Sequence, residues 1–419
     1  MTEMLAVKAP HGRAQVEHGH TRGSIPCAAA QHALKEKVTV VLARGQEVER
    51  LAAEMELWVN ALGESAKVVV LPSLPEIEEE EDDALMLQKE EKSVELLGVL
   101  GEMKSARGNL IIVGDIEAIT QPLPTNLESL SVKKGEKIGL EALKEKLGHH
   151  LGYSHETICE GPGQFAVRGG VVDVYAPNME APVRLDFFGD EIENIRRFDP
   201  TTQRSEDNLR EVSFSTAKTG GDWQSGGLMS YLPTHVSWIL VEPSEMEAAH
   251  ADEFNVPEKI KVSRGHFSNF VARESDTWLG LSRVHTASEF FEGAPDTQVN
   301  VDLPAKYRPL PQAGLIGEER ADAEREILKK FVERAKDWQA QAYVFARAEL
   351  AAEFQKILKP LKEKIIHGAI GEGFLLKRKG EAPLLALAPS DLPPYASVYN
   401  ISRTHRRVAR RSAVNELLD

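Results

Sequence analysis

Between residues 38 and 115 the hydrophobic period switches back and forth, and this limits the fold most. VTVVLA (38–43), KVVVLP (67–72) and NLIIVGD (109–115) are unbroken apolar runs of strand length, rich in β-branched residues. Between the first two lies QEVERLAAEMELWVNALG (46–63), where Val48, Leu51, Met55 and Trp58 recur three or four residues apart, the spacing of one helix face. The acidic stretch PEIEEEEDDA (75–84) follows the second run, and a helical segment then runs through Leu100. A strand that is apolar on both sides needs cover on both faces. Strands that alternate with helices meet that need in a parallel sheet, because each crossover lays a helix on the sheet. The expected fold class is therefore α/β, built on a parallel sheet of the kind common in nucleotide-binding domains.

The pattern changes near residue 128. LEALKEKLGHHLG (140–152) reads as a short helix, and Gly161 to Arg204 as consecutive short strands, a small α+β unit inserted into the first. From about residue 215 the α/β character returns. HVSWILVEP (235–243) has the form of a buried strand, and Ser244 with Glu247 three residues on forms a capping-box pattern. SRGHFSNFVARESDTW (263–278) has no assignable period. A third unit follows: an amphipathic helix over 319–339, a strand QAYVFA (341–346), a helix over 348–361, and a hairpin in GFLLKRKGEAPLLALAP (373–389) turning at Lys379–Gly380. The expected division is 1–127 for the first part of the α/β domain, 128–214 for the inserted unit and 215–316 for the second part. A small α/β third domain over 317–402 and a basic linker over 403–419 complete it.

Composition narrows the function. The 419 residues are too many for one core, and 42% hydrophobic with 27% charged residues is a soluble globular balance. No run approaches the roughly 20 apolar residues of a membrane helix. MTEMLAVKAPHGRAQ has no apolar signal core, so a cytoplasmic location is expected. Two cysteines, Cys27 and Cys159, make neither a disulfide framework nor a metal site. A net charge of −15 repels nucleic acid in bulk, so any DNA contact has to be local. The one clearly basic cluster is RTHRRVARR, with Arg406, Arg407, Arg410 and Arg411 as possible nucleic-acid contacts, although a helical linker explains the run as well.

An α/β domain invites a search for a phosphate loop, and HTRGSIPCAA (20–29) is the candidate. Aligning Gly23–Ser24 with the Gly-Ser of such a loop puts Ile25, Pro26 and Cys27 where Gly-Lys-Ser/Thr belongs. Proline supplies neither an N–H nor a charge, and isoleucine blocks close backbone approach. The loop reads as a degenerate phosphate loop that only connects, and ATP or another cofactor is not expected. Asp115, at the end of NLIIVGD, carries little weight without the lysine. No metal-ligand spacing links the histidines, and no G-x-S-x-G occurs. No catalytic or metal residue is assigned.

The most informative stretch is AVRGGVVDVYAPNMEAPVRLDFFGDEIE (166–193), two strand patterns joined by the turn formers Pro177, Asn178 and Pro182. Alternation places Val183, Leu185 and Phe187 on one face and Arg184, Asp186 and Phe188 on the other. An aromatic flanked by arginine is the composition of a binding hot spot. Asp186 is expected to orient Arg184, and Gly169 and Gly170 suit a bulge or a close backbone approach. The plainer reading has Phe188 packed under a neighbouring loop and Arg184 paired with Asp186.

GQFAVRGGVVDVYAPNMEAPVRLDFFGDEIENIRRFDPTTQRS (163–205) carries R-G-G-x-x-D-x-Y-x-P, then P-x-R-x-D-F-F-x-D-E-I, then R-x-F-D-x-x-T-Q-R-S. This resembles the UvrA-binding domain shared by UvrB and the transcription-repair coupling factor family, Mfd. The flanks favour the latter: the decayed loop at Gly23–Cys27 and the ending GEGFLLKRKGEAPLLALAPSDLPP with RTHRRVARR are similar to the family's first three domains and the linker after them. The resemblance implies a degenerate RecA/helicase-like domain, an inserted UvrA-interaction domain and a further small α/β domain. It implies a non-catalytic module recruiting UvrA to lesion-stalled transcription, with contacts at positions matching Arg168, Arg184 and Phe188. In the family RNA polymerase and DNA are engaged by other domains, including an ATP-driven motor, expected to lie outside these 419 residues. The alternative is a UvrB-like ATP-dependent DNA-binding or helicase fragment, which needs the lysine that Pro26 replaces.

Overall fold

The computed structural model describes residues 13–75, 83–125, 127–218, 225–252, 275–288, 290–309, 311–361, 363–378 and 380–392. The centre of the chain is a seven-stranded sheet in the order Asp296–Gln298, Ala14–His18, Thr277–Ser282, Ser237–Val241, Val38–Leu42, Asn109–Gly114, Ala66–Val70. Every pairing in it is parallel. Parity divides its side chains between two cores. Val41, Ile111, Val113, Ile239 and Leu279 point to one. Val40, Leu42, Ile112, Trp238 and Trp278 point to the other, where they meet Leu96, Leu100 and Met103 of the helix Asp83–Ser105.

The chain leaves this sheet after Gly114 and rejoins it at Ser237, which pairs beside Thr39. The excursion holds a six-stranded sheet in the order Ser205–Leu209, Glu191–Phe198, Val183–Phe188, Val171–Tyr175, Gln164–Arg168, Ser154–Glu156. It is antiparallel except for its last pair. One face packs Val172, Val174, Val183, Leu185 and Ile195 against Leu143 of the helix Leu140–Glu145 and Leu147 of the turn that continues it.

A five-stranded mixed sheet closes the structure, in the order Asn300–Asp302, Phe374–Lys377, Leu384–Leu387, Gln341–Ala346, Lys364–His367. Its edge strand, Asn300–Asp302, comes from before residue 317. One face is covered by the helices Gly317–Lys336 and Ala348–Leu358. The other packs onto the helices Ser24–Ala33 and Gly45–Leu62, so these two helices are sandwiched between the parallel sheet and the C-terminal sheet. Trp58, with no exposed surface, sits 4.7 to 5.7 Å from the ring centroids of Tyr343, Phe345 and Phe374.

Charged groups reinforce this junction. Glu17 is approached by His20 and His32, each at 3.3 Å, and by Arg378 at 3.4 Å. Burial alone pushes the Glu17 carboxyl up, but the hydrogen bonds from His20 and His32 and the charges of His32 and Arg378 together hold it far below the usual carboxylate range.

The capping box at Ser244 is corrected. The helix spans Pro243–Asp252, one residue earlier, with proline in its first turn as its missing N–H allows. Ser244 Oγ lies 2.5 Å from Thr286 Oγ1, and Glu247 accepts from Ser288 Oγ at 2.6 Å and the Phe290 amide at 2.9 Å. A loop that has to be anchored outcompetes the local cap. The segment 263–278 lies outside the described residues up to 274, and the turn residue Lys379 also falls outside them.

Two outcomes follow. Trp58→Ala should destabilise the chain by about 3–5 kcal/mol, read as a shift in chemical unfolding, because it empties an aromatic site between two sheets. Glu17→Gln should be less stable than the parent near neutral pH. The folded carboxyl titrates below its unfolded value of about 4.3, so the parent's advantage is complete above that pH and fades as pH falls below it. Thermal unfolding of both proteins between pH 7 and pH 3 checks the sign.

Candidate functional site

Two hairpin tips lie side by side at one end of the six-stranded sheet. Gly169 and Gly189, with φ of 60° and 62°, take the left-handed conformation that two-residue turns need. Between them the backbones meet: the Phe187 amide donates to the Gly170 carbonyl at 2.7 Å, and a Cβ on Gly170 would stand 3.1 Å from the Phe187 oxygen. The glycine pair thus serves a turn and a close approach. Arg168 ends one strand at this edge and Phe188 ends another, on either side of the strand that begins at Val171.

The face opposite the core is a lattice of charges. Across the strands Asp173 stands opposite Arg184, and Arg184 opposite Arg196. Asp173 is 1% exposed and accepts three hydrogen bonds. Arg184 Nε donates to its Oδ1 at 2.7 Å and Arg184 Nη2 to its Oδ2 at 2.9 Å, while Arg168 Nη2 donates to Oδ2 at 2.9 Å. Arg184 also donates to Gln203 Oε1 at 3.1 Å, and its guanidinium lies 4.5 Å from the centroid of the buried Phe198 ring. Asp186 takes two bonds from Arg196, at 2.6 and 2.9 Å.

This corrects one expectation: Asp186 does not orient Arg184. Residues two apart along a strand are separated by about 6.6 Å, whereas directly opposed residues on neighbouring strands come within about 5.5 Å, so a bidentate arginine reaches across rather than along. Asp173, Arg196 and Gln203 were missed by the sequence reading. Parity held the signal for the first, since Asp173 interrupts an apolar run between Val172 and Val174 and so faces away from the core they enter.

Phe188 is 80% exposed, so the reading that packs it under a loop does not hold. Phe187, its neighbour, turns inward against the core. Within the lattice three arginines face two aspartates, and the arginine with most free surface is Arg168, its side chain 51% exposed against 18% for Arg184. The arrangement presents an aromatic ring and a cation on a rigid frame.

Gly23 caps the helix Ser24–Ala33, which follows the parallel strand Ala14–His18, and Ser24, Ile25, Pro26 and Cys27 form its first turn, the place a phosphate loop takes. Here this segment does more than connect. The Gly23 amide donates to Glu372 Oε2 at 3.3 Å, and a Cβ on Gly23 would fall 2.2 Å from the Glu372 backbone oxygen. Ile25, Pro26 and Cys27 are buried in the helix they open. Asp115, at the end of the strand Asn109–Gly114, caps the next helix by accepting from the Ala118 amide at 2.8 Å.

Burial, with a smaller push from Asp173, raises the Cys159 thiol to about 12, and burial raises Cys27 as well, so neither is a thiolate near neutral pH. Among the described residues no group of His, Cys, Asp and Glu is arranged to hold a metal, and no helix is long and apolar enough to cross a membrane. The acidic residues 76–82 and the basic tail with Arg406, Arg407, Arg410 and Arg411 lie outside the described residues.

Residues 130–219 match the UvrB interaction domain. The chain is 41% identical over 128 residues to a transcription-repair-coupling factor of Helicobacter pylori, covering 29% of this chain and 13% of that protein. It is 29% identical over 214 residues to that of Myxococcus xanthus, covering 49% and 17%, and 41% identical over 88 residues to that of Staphylococcus haemolyticus, covering 21% and 7%. The chain thus aligns with less than a fifth of the length of these relatives. It carries a UvrB interaction domain and is related, through that domain and its flanks, to the UvrB-like N-terminal module of the transcription-repair-coupling factors.

Proposed function

We propose that this chain is a recruitment module of transcription-coupled DNA repair, binding UvrA through the outer face of its six-stranded sheet. Arg168, Arg184, Asp186 and Phe188 lie on that face. The observation that carries the reading is Phe188, a large aromatic 80% exposed at a pinned hairpin tip at the same end of the sheet as a half-exposed arginine. Exposed apolar area on a rigid edge costs solubility, and a partner surface accounts for it. Its mechanism is binding free energy and geometry, with no covalent step. In this reading RNA polymerase and DNA are engaged, and motor activity supplied, by other domains of the longer family proteins.

The parallel sheet, with its loop between first strand and first helix, supports descent from a RecA/helicase-like nucleotide domain. Glu372 and the run Ile25–Pro26–Cys27 support loss of the nucleotide. That favours the recruiting role over a UvrB-like ATPase.

Calorimetry of this chain with purified UvrA should show binding, weakened by Phe188→Ala by about 2 kcal/mol or more, with thermal unfolding of the variant unchanged. Full affinity in the folded variant would sink the assignment of this face. Millimolar Mg-ATP should leave the melting temperature where it is, and a rise of several degrees would restore the ATPase reading.

A further inference from the structure

Resting on the UvrA-binding reading, we infer that Asp173 is a positioning residue for the partner contact, and that the two arginines it holds do different work. Arg168 meets the partner directly, and Arg184 acts through Asp173. The geometry separates them. Arg184 spends Nε and Nη2 on Asp173 and Gln203, and Phe198 lies against its guanidinium. It is a strut, 18% exposed, between two strands. Arg168 gives one Nη2 bond to Asp173 and keeps its side chain 51% exposed, at the tip edge shared with Phe188.

A carboxylate buried to this degree needs its cations, and in return it fixes them. Asp173 thereby holds the guanidinium of Arg168 in place before any partner arrives, and an ordered side chain loses less rotamer entropy on binding. The Asp186–Arg196 pair is balanced on its own. The cation left to act outward is Arg168, at the same end of the sheet as Phe188. The matching partner surface is an apolar pocket rimmed by a carboxylate, which an arginine fork can engage in bidentate fashion.

The test measures UvrA binding by calorimetry at several salt concentrations for the parent, Phe188→Ala, Arg168→Ala, Arg184→Met, Asp173→Asn, and Asp173→Asn combined with Arg184→Met. Methionine keeps an unbranched stem over Phe198. Asp173→Asn should weaken binding tenfold or more, and Arg184→Met should add little on top of it. Arg168→Ala should flatten the salt dependence, while Arg184→Met lowers affinity without flattening it. Phe188→Ala losing binding while folded Asp173→Asn keeps it overturns this inference alone. No binding by the parent overturns the recruitment reading, and this role with it. If Asp173→Asn does not fold, the salt comparison decides: equal flattening by Arg168→Ala and Arg184→Met overturns the division of labour. A nuclear magnetic resonance signal from the Arg184 Nε–H that is sharp in the parent and lost in Asp173→Asn supports the positioning itself without any partner.

Discussion

A helix whose first two turns are buried all round has to be covered on every side, and the helix Ser24–Ala33 sets that requirement for this molecule. Its residues 24 to 30 are all buried, and Cys27 and three successive alanines behind it have no exposed surface. Alanine and cysteine are small enough for two layers to close on the helix at once. The parallel sheet covers one side, and the C-terminal sheet with the helix Gly45–Leu62 covers the rest. One shared core therefore joins segments more than 300 residues apart, and the ion pairs of Glu17 and Arg378 lie at its rim. The inserted unit is free of this demand. It folds around its own apolar cluster, and the other face of its sheet carries the charge lattice beside a small buried cluster of Cys159, Ala166 and Tyr175.

That face holds its charges by a different physics. An aspartate 1% exposed needs partners for its carboxylate, and here one carboxylate is shared by arginines from two strands. Such a lattice adds little net stability compared with apolar packing. What it adds is orientation: Arg184 is held by Asp173 and Gln203, and Arg168 and Arg196 are each held by one aspartate. Phe188 completes the surface, because the turn at Gly189 forces the chain back immediately after it and leaves nothing to cover the ring.

Much of the architecture was legible in the sequence because it rests on period. The strands near 38, 67, 109 and 235 and the helix at Val48, Leu51, Met55 and Trp58 stand where the apolar spacing puts them, as does the parity of Val183 to Phe188. What spacing could not show was pairing between strands. The lateral neighbour of Arg184 is settled by the register of two hairpins, so Asp173 escaped notice although its own alternation was visible. The cap at Ser244 failed for a related reason, since a tertiary anchor to Thr286 and Ser288 replaced a local one. Nor does a helical period reveal that a helix serves two sheets. That requires knowing that Tyr343, Phe345 and Phe374 arrive on its far side.

If the loop at Gly23 is the degenerate phosphate loop proposed above, Gly23 is a position that has outlasted its chemistry. In a phosphate loop a glycine keeps the backbone bare so that an anion can approach. Here the absent side chain makes room for the backbone of Glu372, whose carboxylate supplies the negative charge that the start of a helix favours. The vacancy has been let to a tenant from the same chain. On the proposed reading of a degenerate phosphate loop, putting lysine back at position 26 would not restore nucleotide binding, because the Glu372 backbone stands against Gly23. Reversal would require moving the C-terminal sheet, and with it the core that the two sheets hold in common.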